Sequence, residues 1–139
     1  MEGFGHGAHD RQRSVLLVED DPGDTLMIRE ALETYAPHTD VRAVGDGVEA
    51  LRYLRREDEF AETPRPDLVL LDLNMPDAHG FDVVQQLRAL PYPPRVAAMT
   101  GYGQEGDRQR TLDAGFDAHL TKPVSMEQLR RLIEETTVS

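Results

Sequence analysis

Five residues in this chain have types and positions suited to phosphoryl chemistry: Glu19, Asp20, Asp72, Thr100 and Lys122. Each lies at or just past the end of a short apolar run. VLLV (15–18) leads into Glu19-Asp20-Asp21, LVLLDL (68–73) carries Asp72, RVAAMT (95–100) ends in Thr100, and AHL (118–120) is followed by Lys122. Carboxylates gathered at one place repel, so at neutral pH they need a hard cation or a raised pKa. An oxygen-only ligand set favours Mg²⁺ over Zn²⁺. An Asp can act as the nucleophile in phosphoryl transfer and become an aspartyl phosphate. That chemistry rests on positioning and charge neutralisation rather than on a strong base. Lys122 then serves as a second cation opposite the metal, and the Thr100 hydroxyl can donate to a phosphoryl oxygen.

Each residue also has a plainer reading. Asp21 and Asp24 suit helix N-caps, Thr100 alone suits a capping hydroxyl, and Lys122 alone suits a surface lysine. Asp72 is harder to explain away, because an Asp buried in an apolar run without partners is costly. The joint placement carries the argument.

The elements that must position these residues follow from a pattern repeated five times: an apolar run, a turn, then a helical stretch. LVLLDL is apolar on both faces, as a central parallel strand covered by helices on each side requires. Met27, Ile28, Ala31, Leu32 and Tyr35 form one helical stripe, Val48, Leu51 and Leu54 a second, and Phe81, Val84 and Leu87 a third. The last helix opens with Ser125 and Gln128 at capping-box spacing, and Met126, Leu129, Leu132 and Ile133 make its apolar face. The fourth helical segment, QEGDRQRTLDAG (104–115), has little beyond Leu112 and Ala114 to bury, and Gly106 lies in its first turn. Helices owe most of their stability to packing, so this one should be the most easily displaced. Strand–helix alternation with short connections predicts a parallel α/β sheet with right-handed crossovers. In such sheets ligands bind at the carboxyl ends of the strands, where the five residues fall.

With 139 residues the chain fits one domain. Residues 1–13, MEGFGHGAHDRQR, read as a flexible lead-in, with His6 and His9 explained by tail composition. Residues 14–139 read as the single folded domain. The apolar runs are too short for a bilayer span, no signal peptide opens the chain, and no cysteine is present, which together fit a cytoplasmic protein. A net charge of −11 argues against direct nucleic-acid binding.

The blocks VLLVEDDP, LVLLDLNMP, MTG and LTKP, in this order and spacing, resemble the four signature blocks of response-regulator receiver domains, over about Ser14 to Glu135. The resemblance implies a five-stranded parallel sheet of flavodoxin-like order 2-1-3-4-5 with helices on both faces. It implies that Asp72 is the phosphoacceptor and that Asp20 ligates Mg²⁺ directly, Glu19 acts through water and Asn74 offers a backbone carbonyl. By the same likeness, Thr100 turns toward the phosphoryl group, Lys122 pairs with it, and the Lys122–Pro123 bond is cis. Such a domain is a signalling switch rather than an enzyme. It takes its phosphoryl group from a histidine kinase and signals by protein contact through the face of the fourth helix, fifth strand and fifth helix, a face that also suits homodimerisation. Tyr102, two residues past Thr100, sits with Asn74 where such domains tune water access.

One departure is His119, at a switch position usually aromatic. Either it moves inward with Thr100, or it stays outside and alters the coupling. The stretch YLRREDEFAETPRPDLVLLDLNMP (53–76) resembles the small receivers found beside phytochrome-type sensor kinases. No DNA-reading or catalytic segment follows the fifth helix, so output is expected through a protein target. Three rivals fit less well. A haloacid-dehalogenase-type phosphatase wants a second Asp where Asn74 stands, a nucleotide-binding protein wants a GxxxxGK[ST] loop, and a passive, degenerate receiver would not need Asp72, Asp20, Thr100 and Lys122 together.

Overall fold

The computed structural model describes residues 13–74, 80–91, 93–101 and 111–136. Five parallel strands, β1 (Arg13–Val18), β2 (Thr39–Val44), β3 (Leu68–Asp72), β4 (Arg95–Thr100) and β5 (Ala118–Thr121), form one sheet in the order β2-β1-β3-β4-β5. The doubly wound order implied by the resemblance is therefore the observed one. Arg13, assigned above to the lead-in, instead begins β1, where it pairs with Thr39.

The described helices include α1 (Pro22–Tyr35), α2 (Gly47–Leu54), α3 (Gly80–Arg88) and a C-terminal helix (Met126–Glu135), with a short 3-10 turn at Asp58–Phe60. Strand residues alternate between faces, so β1 and β3 divide their apolar side chains between two cores. Val15, Leu17, Leu68 and Leu70 pack with Ile28, Leu32, Leu129 and Leu132 beneath α1 and the C-terminal helix. Leu16, Val18, Val69 and Leu71 pack with Ala50, Tyr53, Val84 and Leu87 beneath α2 and α3. All five β3 residues are buried, as a strand with helices on both faces must be. α2 and α3 approach so closely that a Cβ on Gly47 would lie 2.9 Å from Val83 Cγ2, which explains a glycine inside the first turn of α2.

Several stripe residues sit differently from expectation. Met27, Tyr35, Val48 and Met126 are exposed, while Ala50 and Tyr53 take the inner positions of α2. Each helix is covered on one side only, so the buried arc is narrower than the apolar arc. Ser125 caps the C-terminal helix by accepting from Gln128 N–H at 3.1 Å. The reciprocal arm of the expected capping box is missing, because Gln128 Oε1 is buried without a partner. Of the 104–115 segment only its end is described: residues 111–113 are helical, and Leu112 is exposed. The weak packing expected for the rest of it falls outside the described residues.

Candidate functional site

Acids at the two edges of the sheet have different work. At the amino edge Asp67 accepts from Ser14 N–H and Asp117 from Val96 N–H, both at 2.9 Å, so these carboxylates complete strand ends. At the carboxyl edge the acids face one another. One ligand oxygen each from Glu19, Asp20 and Asp72 lies within 4.8 Å of the others.

β3 delivers Asp72 at its last position, 2 % exposed. Its Oδ1 accepts from Asn74 N–H at 2.8 Å, a bond that curls the chain just past the strand. Its Oδ2 accepts from Lys122 Nζ at 2.9 Å. β1 delivers Glu19, 4 % exposed, whose own N–H continues the β2 ladder to the Val44 carbonyl. Glu19 Oε1 accepts from Lys122 Nζ at 2.8 Å and Oε2 from Asp21 N–H at 3.2 Å. Asp20, next in the chain, is exposed. Lys122 follows β5, its N–H donating to the Thr100 carbonyl at 2.7 Å, and the Lys122–Pro123 bond is cis as expected.

Lys122 thus anchors two buried carboxylates before any phosphoryl contact, and a third acid joins them. Asp24 Oδ2 lies 3.3 Å from Lys122 Nζ. Asp24 had read as a possible helix cap, but Asp21 is the residue that caps α1, its Oδ1 accepting from Gly23 N–H at 2.9 Å. The signal for Asp24 was its place in the first turn of a helix that starts at the carboxyl edge.

The electrostatics show how crowded the pocket is. Burial pushes Glu19 up to about 7; Lys122 pulls it down, but the adjacent Asp72 carboxylate adds to the rise. Burial works against the Lys122 ammonium too, yet its bonds to Glu19 and Asp72 outweigh that and raise its pKa. One ammonium does not neutralise this group of acids. A hard divalent cation held by carboxylate oxygens fits the donor set and relieves the repulsion.

Thr100 ends β4, 1 % exposed, and its Oγ1 lies 2.8 Å from His119 Nε2. The two side chains are therefore in contact in this structure, and whether His119 moves inward with Thr100 is a property of the phosphorylated state. Asn74 is exposed in the turn after β3. Tyr102 lies outside the described residues.

This combination defines the class: a doubly wound α/β domain whose strand-end carboxylates suit a divalent cation. The comparisons agree. The family model described as "Response regulator receiver domain" matches residues 15–134. Response regulator Rcp1 of Synechocystis sp. is 30 % identical over 122 residues, spanning 86 % of this chain and 83 % of Rcp1. The crystal structure of the phosphorylated cyanobacterial phytochrome response regulator RcpA is similar with a TM-score of 0.75 and 34 % identity, over 89 % of this chain and 90 % of that one. The Mn²⁺-bound form of Rcp1 matches with a TM-score of 0.75 and 28 % identity, over 91 % and 99 % of the two chains.

The chain belongs to the response-regulator receiver family. Its role is that of the phospho-accepting switch of a two-component signalling system. Among the described residues no helix is long and apolar enough to cross a membrane.

Proposed function

We propose that Asp72 accepts the phosphoryl group, with Mg²⁺ held by Asp20 and Asp72 directly, by Glu19 through water and by the Asn74 backbone carbonyl. The observation that carries this reading is the meeting of Lys122 with the buried Asp72 carboxylate at 2.9 Å, in the same pocket as Glu19 and Asp20. A carboxylate oxygen of Asp72 forms the new P–O bond while the bond from phosphorus to the donor imidazole nitrogen breaks, its electron pair staying with the imidazole. The bound cation neutralises charge on the transferring group. Lys122 screens the acceptor from Glu19, and Thr100 donates its hydroxyl proton to a phosphoryl oxygen. Tyr102 and Asn74 tune the access of water to the acyl phosphate. The switch turns over its own phosphoryl group but transforms no other substrate.

The upstream partner is read as a phytochrome-type sensor histidine kinase, on the likeness to RcpA and Rcp1. Such a kinase draws on ATP, which places the exchange in the cytoplasm. Residues 14–139 act as one receiver domain behind the lead-in, and output runs through the β5 and C-terminal-helix face to a protein target or a second copy, without nucleic-acid contact. Replacing one carboxylate charge with a phosphoryl group of about −1.5 to −2 alters the field at the Thr100 end of β4. Two or three new charge-assisted contacts of about 1.5–3 kcal/mol each match the about 5.5 kcal/mol that a 1:99 to 99:1 shift requires.

Acetyl phosphate with Mg²⁺ tests the reading. The parent should gain one phosphoryl mass that Asp72→Asn does not, and the phosphorylated form should show whether the oligomer grows. A parent that stays unmodified, or an Asp72→Asn protein modified equally, would refute it.

A further inference from the structure

The Thr100 hydroxyl has one proton and two lone pairs to place, and it is buried at the end of β4. In this structure its partner is His119 Nε2 at 2.8 Å. The register explains the meeting. Ala98 pairs with His119 and Thr100 with Thr121, so in these parallel strands the side chains of Thr100 and His119 share a face of the sheet. The strand order matters as well. β4 lies between β3, which carries Asp72, and β5, which carries His119. A hydroxyl turned toward β5 is turned from the strand that bears the acceptor. A phenyl ring at position 119 would offer Thr100 no such partner.

We propose that His119 is a positioning residue that latches the Thr100 hydroxyl toward β5, so that a phosphoryl oxygen on Asp72 must displace the imidazole to gain that hydroxyl. The inference rests on the phospho-acceptor reading and adds a direction to it. His119 holds the switch back, and removing its nitrogen releases Thr100. A buried hydroxyl that has lost the imidazole is also poorly satisfied until the phosphoryl oxygen arrives, which pushes the same way.

Beryllofluoride, a phosphoryl mimic, measures this in the full chain at saturating Mg²⁺. His119→Phe should bind it roughly 2- to 10-fold more tightly than the parent, the size of one neutral hydrogen bond exchanged. His119→Gln places an amide at about the reach of Nε2 and should restore the parent's affinity. In a Thr100→Val background, His119→Phe should produce no further tightening, which isolates the pair from general effects of the ring. The parent provides a separate readout: the ¹⁵N resonance of His119 Nε2 should move when beryllofluoride binds.

Equal or weaker binding by His119→Phe, an undiminished effect in the Thr100→Val background, or an unmoved Nε2 resonance would each overturn the latch while leaving the acceptor site standing. A parent that takes up no beryllofluoride would overturn the acceptor reading and the latch together.

Discussion

Lys122 and Asp72, 50 residues apart in the chain, meet at 2.9 Å, and the same ammonium reaches Glu19 at 2.8 Å. Both carboxylates are nearly sealed from solvent, at 2 % and 4 % exposure. The lysine is therefore a structural cation as well as a candidate phosphoryl partner, and the two roles separate experimentally.

Removing one partner of a buried, hydrogen-bonded ion pair leaves an uncompensated charge and costs about 3–5 kcal/mol. Lys122→Ala should lose stability toward the lower end of that range, since Glu19 can take up a proton. Much of the loss should return on adding Mg²⁺, which replaces the missing positive charge. Urea midpoints with and without the metal check this. A variant as stable as the parent without metal would mean that the lysine does not hold the acids.

Glu19 sets a pH dependence whose sign is fixed. Its pKa is raised from 4.5 to about 7 by burial and the neighbouring Asp72. Below pH 4.5 both folded and unfolded chains carry the proton; between there and 7 only the folded chain does. The stability from this group is thus fully present at low pH and is lost as pH rises through about 7. Metal binding runs the opposite way, because a cation must expel that proton. Mg²⁺ affinity should rise between pH 6 and 7 by up to about tenfold, and Glu19→Gln should flatten that rise. Isothermal titration in two buffers of different ionisation enthalpy would register the released proton.

Asp20 and Asp21 are adjacent acids with separable roles. Asp21 caps α1, so Asp21→Ala should cost about 1 kcal/mol in urea unfolding while still accepting phosphoryl from acetyl phosphate. Asp20→Ala should do the reverse, keeping the fold and losing Mg²⁺-dependent labelling. Equal effects of the two substitutions on labelling would mean that the cation site has been assigned to the wrong residues.

A kinase that reaches Asp72 must cover the rim of the carboxyl edge. α1 and the C-terminal helix both start there, and a cavity of about 410 Å³ between them is lined by Met27, Ile28, Ala31, Val124, Met126 and Leu129, among others. Met27 and Met126 are exposed. Met27→Asp or Met126→Asp should slow transfer from a kinase at least tenfold, about 1.4 kcal/mol, and leave labelling by acetyl phosphate unchanged. A matching loss with both donors would point instead to damage within the pocket.

Much of the fold was legible because short continuous apolar runs and strand-end acids are local signals. The β3 run and its single Asp announced a central strand, and the filter of strand carboxyl ends picked out Glu19, Asp20, Asp72 and Lys122, which the structure brings together, along with Thr100, which ends β4 and meets His119. Three things were hidden. Met27 and Met126 read as core because an apolar stripe does not reveal how wide an arc its neighbours cover. Asp24 read as a possible cap, because its partner Lys122 lies 98 residues away. The contact of His119 with Thr100 depends on the β4–β5 register, in which Ala98 rather than Thr100 lies opposite His119.

The most direct test of the central claim is chemical. Borohydride reduces an aspartyl phosphate to homoserine, so the labelled chain can be reduced, digested and sequenced by mass spectrometry. Homoserine at position 72, absent without Mg²⁺ or phosphodonor, is the expected result. Homoserine at another aspartate, or a stable phosphoryl group on a hydroxyl or imidazole with position 72 intact, would contradict the account.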